Sequence, residues 1–494
     1  MIYFMDEMKR HEFSVKNTID APTVVCYHII ILFSVRFLEV QFLSISNSSD
    51  AFIHTLCEQM QNSTAFDINT RDNSNIKRGL RNADGTGVMV GCTKIGSVQG
   101  YAIIDGEKTP MEGRLIYRGY DINQLISGFT RENRFGFEEI AYLLLLGRLP
   151  NAEEYAEFRQ LLSDNMSLPS GFTEDMILKA PSSNIMNKLA RSVLALYSYD
   201  ENPDAIDLTN MMRQSIQLVA RFPMIVAHAY AAKVHYFDGG SLILHWPEPE
   251  FSIAENILHS IRPDSKFTDA EARLLDLCLV LHAEHGGGNN SAFTCRVLSS
   301  SGTDTYSAIA AAVGSLKGPK HGGANQRVSA MFEEIKKNVH DWNDDDEITA
   351  YLEKILRKEA GDGSGLIYGM GHAIYTKSDP RALILKHSAR SLAEQTGYLK
   401  ELELLESIER LTPEIFARVT GSDKAMCANV DFYSGLVYTM LNIPQEVFTP
   451  LFAIARVPGW CAHRIEEVMT SNRIIRPAYK SLTERRTYVP MAKR

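Results

Sequence analysis

The chain lacks a disulfide framework. Its seven cysteines, Cys26, Cys57, Cys92, Cys278, Cys295, Cys427 and Cys461, are odd in number, widely spaced and without a C-x-x-C pair. That pattern excludes a cysteine-stapled secreted fold and zinc-finger spacing, and it points to reduced thiols in a cytoplasmic protein. A membrane span is missing as well. The apolar run Ile29-Ile30-Ile31-Leu32-Phe33 is followed at once by Arg36 and Glu39, and it is too short to cross a bilayer. Asp6, Glu7, Glu12 and Asp20 precede it where a signal or transit peptide would carry basic residues. Residues 1–49 therefore read as a non-functional, poorly ordered extension, with an interaction segment as the alternative. Positive charge is not in excess, with 51 Lys and Arg against 60 Asp and Glu and a net charge of −9. That balance argues against nucleic acid as the main partner. Sequence repeats, low-complexity tracts and long Pro/Ser linkers are also absent. Any second domain is then inserted within the layout and not strung after it.

What remains is ordinary globular composition, 45% hydrophobic and 22% charged over 494 residues, long enough for two domains. Residues 91–104, rich in Gly, Val and Ile, read as extended, with Asp105-Gly106 as a tight turn. From about Asp50 onward the pattern is otherwise helical. Phe137, Ile140, Ala141 and Leu144 follow helical spacing up to Leu149-Pro150. Residues 211–233 form a helix that Pro223 should bend. In 269–285 the stripe Leu274, Leu277, Cys278, Leu281 continues to His282 and His285, and three glycines end the helix. The alanine-rich segment 307–317 suits close helix packing, and a helix follows over 325–338. Asp341, Asp344, Asp345 and Asp346 read as a solvated loop with no ligand geometry.

Four stretches concentrate His, Asp, Arg and Gly. They are His282-Ala-Glu-His285-Gly-Gly-Gly-Asn-Asn290, Gly318-Pro-Lys-His321-Gly-Gly-Ala-Asn-Gln326, Gly369-Met-Gly-His372-Ala-Ile-Tyr-Thr-Lys-Ser-Asp-Pro-Arg381 and Asn429-Val-Asp431-Phe-Tyr-Ser-Gly435. A single buried histidine is more often a satisfied core residue than a catalyst. The four together, in this order, resemble the active-site motifs of the citrate synthase family. Similarity runs from about residue 91 to 479 and includes Gly113-Arg-Leu-Ile-Tyr-Arg-Gly-Tyr-Asp121 and Leu143-Leu-Leu-Leu-Gly-Arg-Leu-Pro150. Ala373 and Thr376 depart from the basic residues that many members carry there, which puts the CoA phosphate contact in question.

The resemblance implies a mainly α, multi-helical fold with a short N-terminal β-hairpin and an active site in a cleft between two domains. The large helical domain would take 50–322 and 436–494, the latter including a C-terminal arm, and the small inserted domain 323–435. It implies condensation of acetyl-CoA with oxaloacetate through an enol and citryl-CoA, then hydrolysis to citrate and CoA. Asp431 matches the base that takes the thioester methyl proton. His321 matches the donor to the acetyl carbonyl, kept neutral near a helix N-terminus. His372 matches the group that polarises the ketone and donates a proton as the new bond forms. His285, Arg381, Arg456 and Arg476 match oxaloacetate contacts, since forked guanidiniums suit carboxylates. In the family the last reaches the neighbouring subunit's site, which implies a homodimer. Leu366, Tyr368, Gly369, Gly371 and Lys377 are the candidates for CoA contacts. No metal and no bound cofactor is implied, because the CoA thioester is a substrate.

Four other readings compete. Gly361-x-Gly363-x-Gly365 lacks a preceding strand and a following helix start, so it is not read as a dinucleotide loop. A metallohydrolase built on His282, Glu284 and His285 lacks the zincin spacing. A non-catalytic relative should have lost a proton-transfer residue or an anion clamp, yet all are present. The nearest rival is 2-methylcitrate synthesis from propionyl-CoA, since one methylene shifts selectivity by only about 1–3 kcal/mol. Phe432, beside the base, is the residue to inspect for that choice.

Overall fold

The computed structural model describes residues 77–82, 86–104, 107–422, 425–481, 483 and 485–493. The N-terminal extension 1–49, the start of the helical pattern at 50–76 and the Asp105-Gly106 turn lie outside them. Residues Lys77–Pro477 make one compact unit. The described part of 478–493 belongs to a second unit and carries one short 3-10 turn, Met491–Lys493. No helix among the described residues is long and apolar enough to cross a membrane.

The extended segment forms β1 (Gly96–Ile104), antiparallel to β2 (Glu107–Tyr117), which pairs in turn with β3 (Tyr120–Asp121). Register runs from Gly96↔Tyr117 to Gln99↔Arg114 and resumes at Tyr101↔Pro110, leaving Gly100 at an irregularity. The remaining architecture is helical. First come α1 (Ile122–Arg131), α2 (Phe137–Leu146), α3 (Ala152–Asp164), α4 (Ile185–Leu196) and α5 (Leu208–Asp238). Next are α6 (Ile253–Ile261), α7 (Asp269–His282), α8 (Asn290–Ser299), α9 (Thr305–Lys317) and α10 (Ala324–Asn338). The last five are α11 (Asp345–Leu356), α12 (Pro380–Thr396), α13 (Leu399–Thr420), α14 (Val430–Met440) and α15 (Phe448–Thr470).

Local chemistry explains many of these boundaries. Reciprocal capping boxes start α3 (Asn151 with Glu154), α6 (Ser252 with Glu255) and α7 (Thr268 with Glu271), and such caps contribute about 1 kcal/mol each. Helix α2 starts after Gly136, which has no side chain to cap with. Asp276 of α7 serves instead, accepting from Gly136 N at 2.7 Å and Phe137 N at 3.0 Å, and so fixes α7 against α2. The acidic run is not merely a loop. Asp344 caps α11 by accepting from Asp346 N and Glu347 N, and the acids behind it lie in the first turn, where the helix dipole favours them. Helix α5 continues through Pro223 well past both expected ends.

At the centre stands α15, buried on all sides along most of its length and packed against α2, α5, α7, α8 and α9. Continuous burial explains why its sequence carries no polar stripe. Helix α9 lies against α4 and α8, and its Ala308, Ala310 and Ala312 are buried, as close packing of small side chains permits.

Candidate active site

Helix α7 stops at His282, so His285 is not on the helix face where the periodicity places it. The carbonyls at this end are satisfied from outside. Tyr117 Oη donates within reach of Val280 O (3.0 Å) and Glu284 O (3.1 Å), and Arg456 Nε donates to His282 O. With those groups paired, three further helical residues gain no bonding. The side chains of this stretch then diverge. His282, fully buried, stacks on Phe452 with ring centroids 3.8 Å apart and meets Tyr438 Oη at 2.9 Å. It is a packing group. Glu284, also fully buried, accepts from Gly286 N at 2.6 Å and from His463 Nε2 at 3.0 Å. Burial would raise its pKa, but His463 and Arg456 hold it below the ordinary range. Because His282, Glu284 and His285 face separate partners, they do not converge as a metal triad would.

His285 turns toward His372 across 87 residues of chain, with Nε2 atoms 3.1 Å apart. Hydrogen bonding assigns the protons. His372 Nδ1 accepts from Ile374 N (3.1 Å) and Tyr375 N (3.0 Å), so the neutral ring carries its hydrogen on Nε2 and donates to His285 Nε2. His285 then carries Nδ1–H, which finds no partner among the described residues. Burial, with the Arg381 charge second, holds His372 down at about 4 and His285 well below its usual range. Tyr375 stacks on His372 at 4.6 Å between centroids, and its buried hydroxyl has no hydrogen-bond partner among the described residues.

Two buried guanidiniums face this pair. Arg381, at the start of α12, spends Nε and Nη2 on Asp379 at 3.0 and 2.7 Å. Burial alone would lower its pKa, but Asp379 outweighs that and raises it. Beyond the Nε bond to His282 O, Arg456 has no hydrogen bond to a described residue. Its charge nevertheless reaches His321, His285 and Asp431. Asp431 lies in the first turn of α14, where Asn429 Oδ1 accepts from its N–H at 3.0 Å. Burial pushes its carboxyl up to about 6 against the pull of Arg381 and Arg456, a suitable range for a base near neutral pH.

His321 is three residues ahead of α10, and burial first, then Arg456, brings it to about 4. Its Nε2 lies 3.1 Å from Ser291 Oγ. That hydroxyl also accepts from Trp460 Nε1 at 3.1 Å and stands 2.8 Å from Asn289 Oδ1. One hydroxyl hydrogen can serve Asn289 or His321, not both. Given to Asn289, it leaves His321 as the Nε2–H tautomer; turned to His321, it frees Nδ1–H to donate elsewhere.

The structure therefore sets His285 and Asp431 within electrostatic reach of both Arg381 and Arg456, His372 within reach of Arg381 and His321 within reach of Arg456. Arg476 is not brought there and stays exposed beyond α15. Of the candidate CoA contacts, Leu366 is 54% exposed and Lys377 is exposed too. Gly369 and Gly371 adopt φ of 80° and 94°, which favour glycine. Asn429 N donates to Gly369 O at 2.8 Å and Asn429 Nδ2 to Gly371 O at 3.0 Å, which ties this loop to the cap of Asp431. Tyr368 Oη donates to Asp362 at 2.6 Å under the Arg327 guanidinium. Phe432 is fully buried, its ring 2.8 Å from where a Cβ on Gly369 would stand. Sequence reading passed over Tyr117, Tyr375, Asp379, Ser291 and His463. Two of them sit inside the His372–Arg381 motif, and His463 follows Arg456 by seven residues, two helical turns along one face.

Residues 83–478 match the family described as citrate synthase, C-terminal domain. The chain is 33% identical over 424 residues to a citrate synthase of Synechocystis, covering 86% of this chain and 95% of that protein. It is 34% identical over 395 residues to 2-methylcitrate synthase 1 of Corynebacterium glutamicum, with 78% and 93% covered. The fold superposes with TM-score 0.70 and 27% identity on citrate synthase from Thermoplasma acidophilum, solved in ternary complex with carboxymethyl coenzyme A and oxaloacetate. That match spans 85% of this chain and 100% of the other. The chain belongs to the citrate synthase family, whose members are acyltransferase-type enzymes.

Proposed function

We propose that the chain condenses acetyl-CoA with oxaloacetate and hydrolyses the citryl thioester to citrate and CoA. The observation that carries this reading is the gathering of one carboxylate with a pKa of about 6 and two neutral imidazoles around two buried guanidiniums. Arg456 and the edge of Arg381 not taken by Asp379 hold the two carboxylates of oxaloacetate. The ketone oxygen replaces His285 as acceptor for His372 Nε2–H. Asp431 takes a proton from the thioester methyl while His321 Nδ1–H, freed by Ser291, stabilises the enol oxygen. The enol carbon attacks the ketone carbon, the new alkoxide takes its proton from His372, and water then cleaves the thioester. Metal and bound organic cofactors have no part in this sequence. The small domain, 323–435, closes on the large one before the thioester binds, and Arg476 completes the site of a second subunit in a homodimer. In Thermoplasma acidophilum citrate synthase, the same two ligand classes occupy one complex, which supports the substrate assignment.

The relative that makes 2-methylcitrate keeps propionyl-CoA as the second reading. Thiol release measured with both acyl-CoAs, with and without oxaloacetate, separates them. Oxaloacetate-dependent release favouring acetyl-CoA is expected. A propionyl preference above roughly tenfold in kcat/KM transfers the assignment to the sister reaction. A second expectation concerns Ser291→Ala. Without the hydroxyl that turns His321 into a donor, kcat should fall roughly tenfold, the equivalent of about 1.4 kcal/mol. Oxaloacetate affinity should hold, and steady-state rates with direct oxaloacetate titration check both.

A further inference from the structure

The aim of the His372 ring follows the backbone behind it, because its Nδ1 is held by the N–H groups of Ile374 and Tyr375. That backbone rests on the β1–β2 hairpin. A Cβ on Gly100 would stand 2.4 Å from Ile374 O, and one on Gly113 would stand 2.1 Å from Ser378 O. Only glycine permits so close an approach. Polar contacts pin the two segments. Thr376 Oγ1 donates to Gly100 O at 2.7 Å, Gly113 N donates to Ser378 Oγ at 3.2 Å, and the Ser378 hydroxyl donates to the Glu112 carboxylate. Gly100 lies where the strand register slips, opposite the surplus residues Met111–Gly113 of β2, where a bulge disrupts the local ladder.

The same hairpin grips the other half of the imidazole pair. Tyr117, the last residue of β2, bonds the carbonyls that end α7, and a Cβ on Gly96 of β1 would stand 2.7 Å from Glu284 Cγ. One small sheet thus touches both carriers of the pair, the 282–285 turn and the 372–379 loop. We propose that the β1–β2 hairpin is a clasp that sets the separation of His285 and His372, with Thr376 and Ser378 acting as positioning residues for His372.

The kinetic arm of the test rests on the condensation reading; the exchange arm does not. Thr376→Val with Ser378→Ala removes both pins at nearly constant volume. Amide hydrogen exchange in residues 372–379 should quicken roughly tenfold in the double variant, with the rest of the chain at its wild-type rates. For thiol release, kcat should fall between about 10- and 100-fold, as for a displacement near 1 Å, with little change in oxaloacetate KM. Thr376→Ser, which keeps the hydroxyl, should restore exchange and kcat. Unchanged exchange in the loop, a uniform rise along the whole chain, or failure of the serine variant to restore protection overturns the clasp. Local exchange that rises in a protein whose wild type releases no thiol keeps the clasp and removes the condensation reading.

Discussion

Replacing Asp431 by asparagine is expected to lower kcat for thiol release by about 10²- to 10⁴-fold, the range that general-base catalysis supplies. Oxaloacetate affinity should be retained, because the role proposed for the side chain is that of a base and not an anion clamp. The same substitution should stabilise the fold above neutrality. Burial lifts the Asp431 carboxyl from an ordinary 3.8 to about 6, so the native state holds this proton more tightly than the unfolded chain. The stabilisation from that proton is complete below pH 3.8 and is lost as pH rises through 6. Above that range the ionised group costs up to about 3 kcal/mol, less whatever partial exposure screens. Asparagine removes the penalty. Thermal unfolding at pH 8 should show a higher Tm for Asp431→Asn, and the difference should vanish near pH 4. In the wild type, kcat/KM for the acyl-CoA should fall as pH drops through about 6. A variant that keeps its rate, or loses it together with oxaloacetate binding, would assign the base elsewhere.

The second large effect concerns Arg381. Lysine keeps the charge but not the fork. Of the guanidinium donors, Nε and Nη2 are already committed to Asp379, which leaves the remaining edge for the proposed substrate. A single ammonium cannot serve both carboxylates. Arg381→Lys should weaken oxaloacetate binding by roughly 10- to 100-fold, as for the loss of a charged hydrogen bond of about 1.5–3 kcal/mol. The decrease in kcat should be smaller. Arg381→Met is expected to behave differently, because Asp379 is only 1% exposed. Without a counter-charge, that carboxylate becomes an unpaired buried anion, which destabilises by about 3–5 kcal/mol. Oxaloacetate titration and urea unfolding of the two variants distinguish lost recognition from lost stability. Equal unfolding midpoints for the two would show that Asp379 does not depend on Arg381.

Much of this constellation is legible in the sequence. Short motifs carried His285, His321, His372, Arg381 and Asp431, and residue type alone restricts which of these can act as base, donor or clamp. Other features are not. Periodicity carried His285 onto α7, whereas the helix ends at His282 because a tyrosine from β2 and an arginine from α15 take its terminal carbonyls. The acidic run at 341–346 read as solvent-facing loop, although Asp344 caps α11; a cap is recognised only where a helix follows. Glu284 drew only a metal-site reading that its spacing argues against, and its actual partner His463 lies 179 residues away, a separation that no local pattern records.

Periodicity and residue type, then, set the helical layout and supplied the stock of acids, bases and cations. Which nitrogen holds each proton, and how far each pKa moves, was decided only by the tertiary structure. The N–H groups of Ile374 and Tyr375 fix the His372 tautomer, one hydroxyl hydrogen on Ser291 is contested by two acceptors, and burial beside Arg381 and Arg456 sets the charge states. The reason is physical: desolvation and hydrogen bonding act through neighbours in space, and in this chain those neighbours come from segments far apart in sequence.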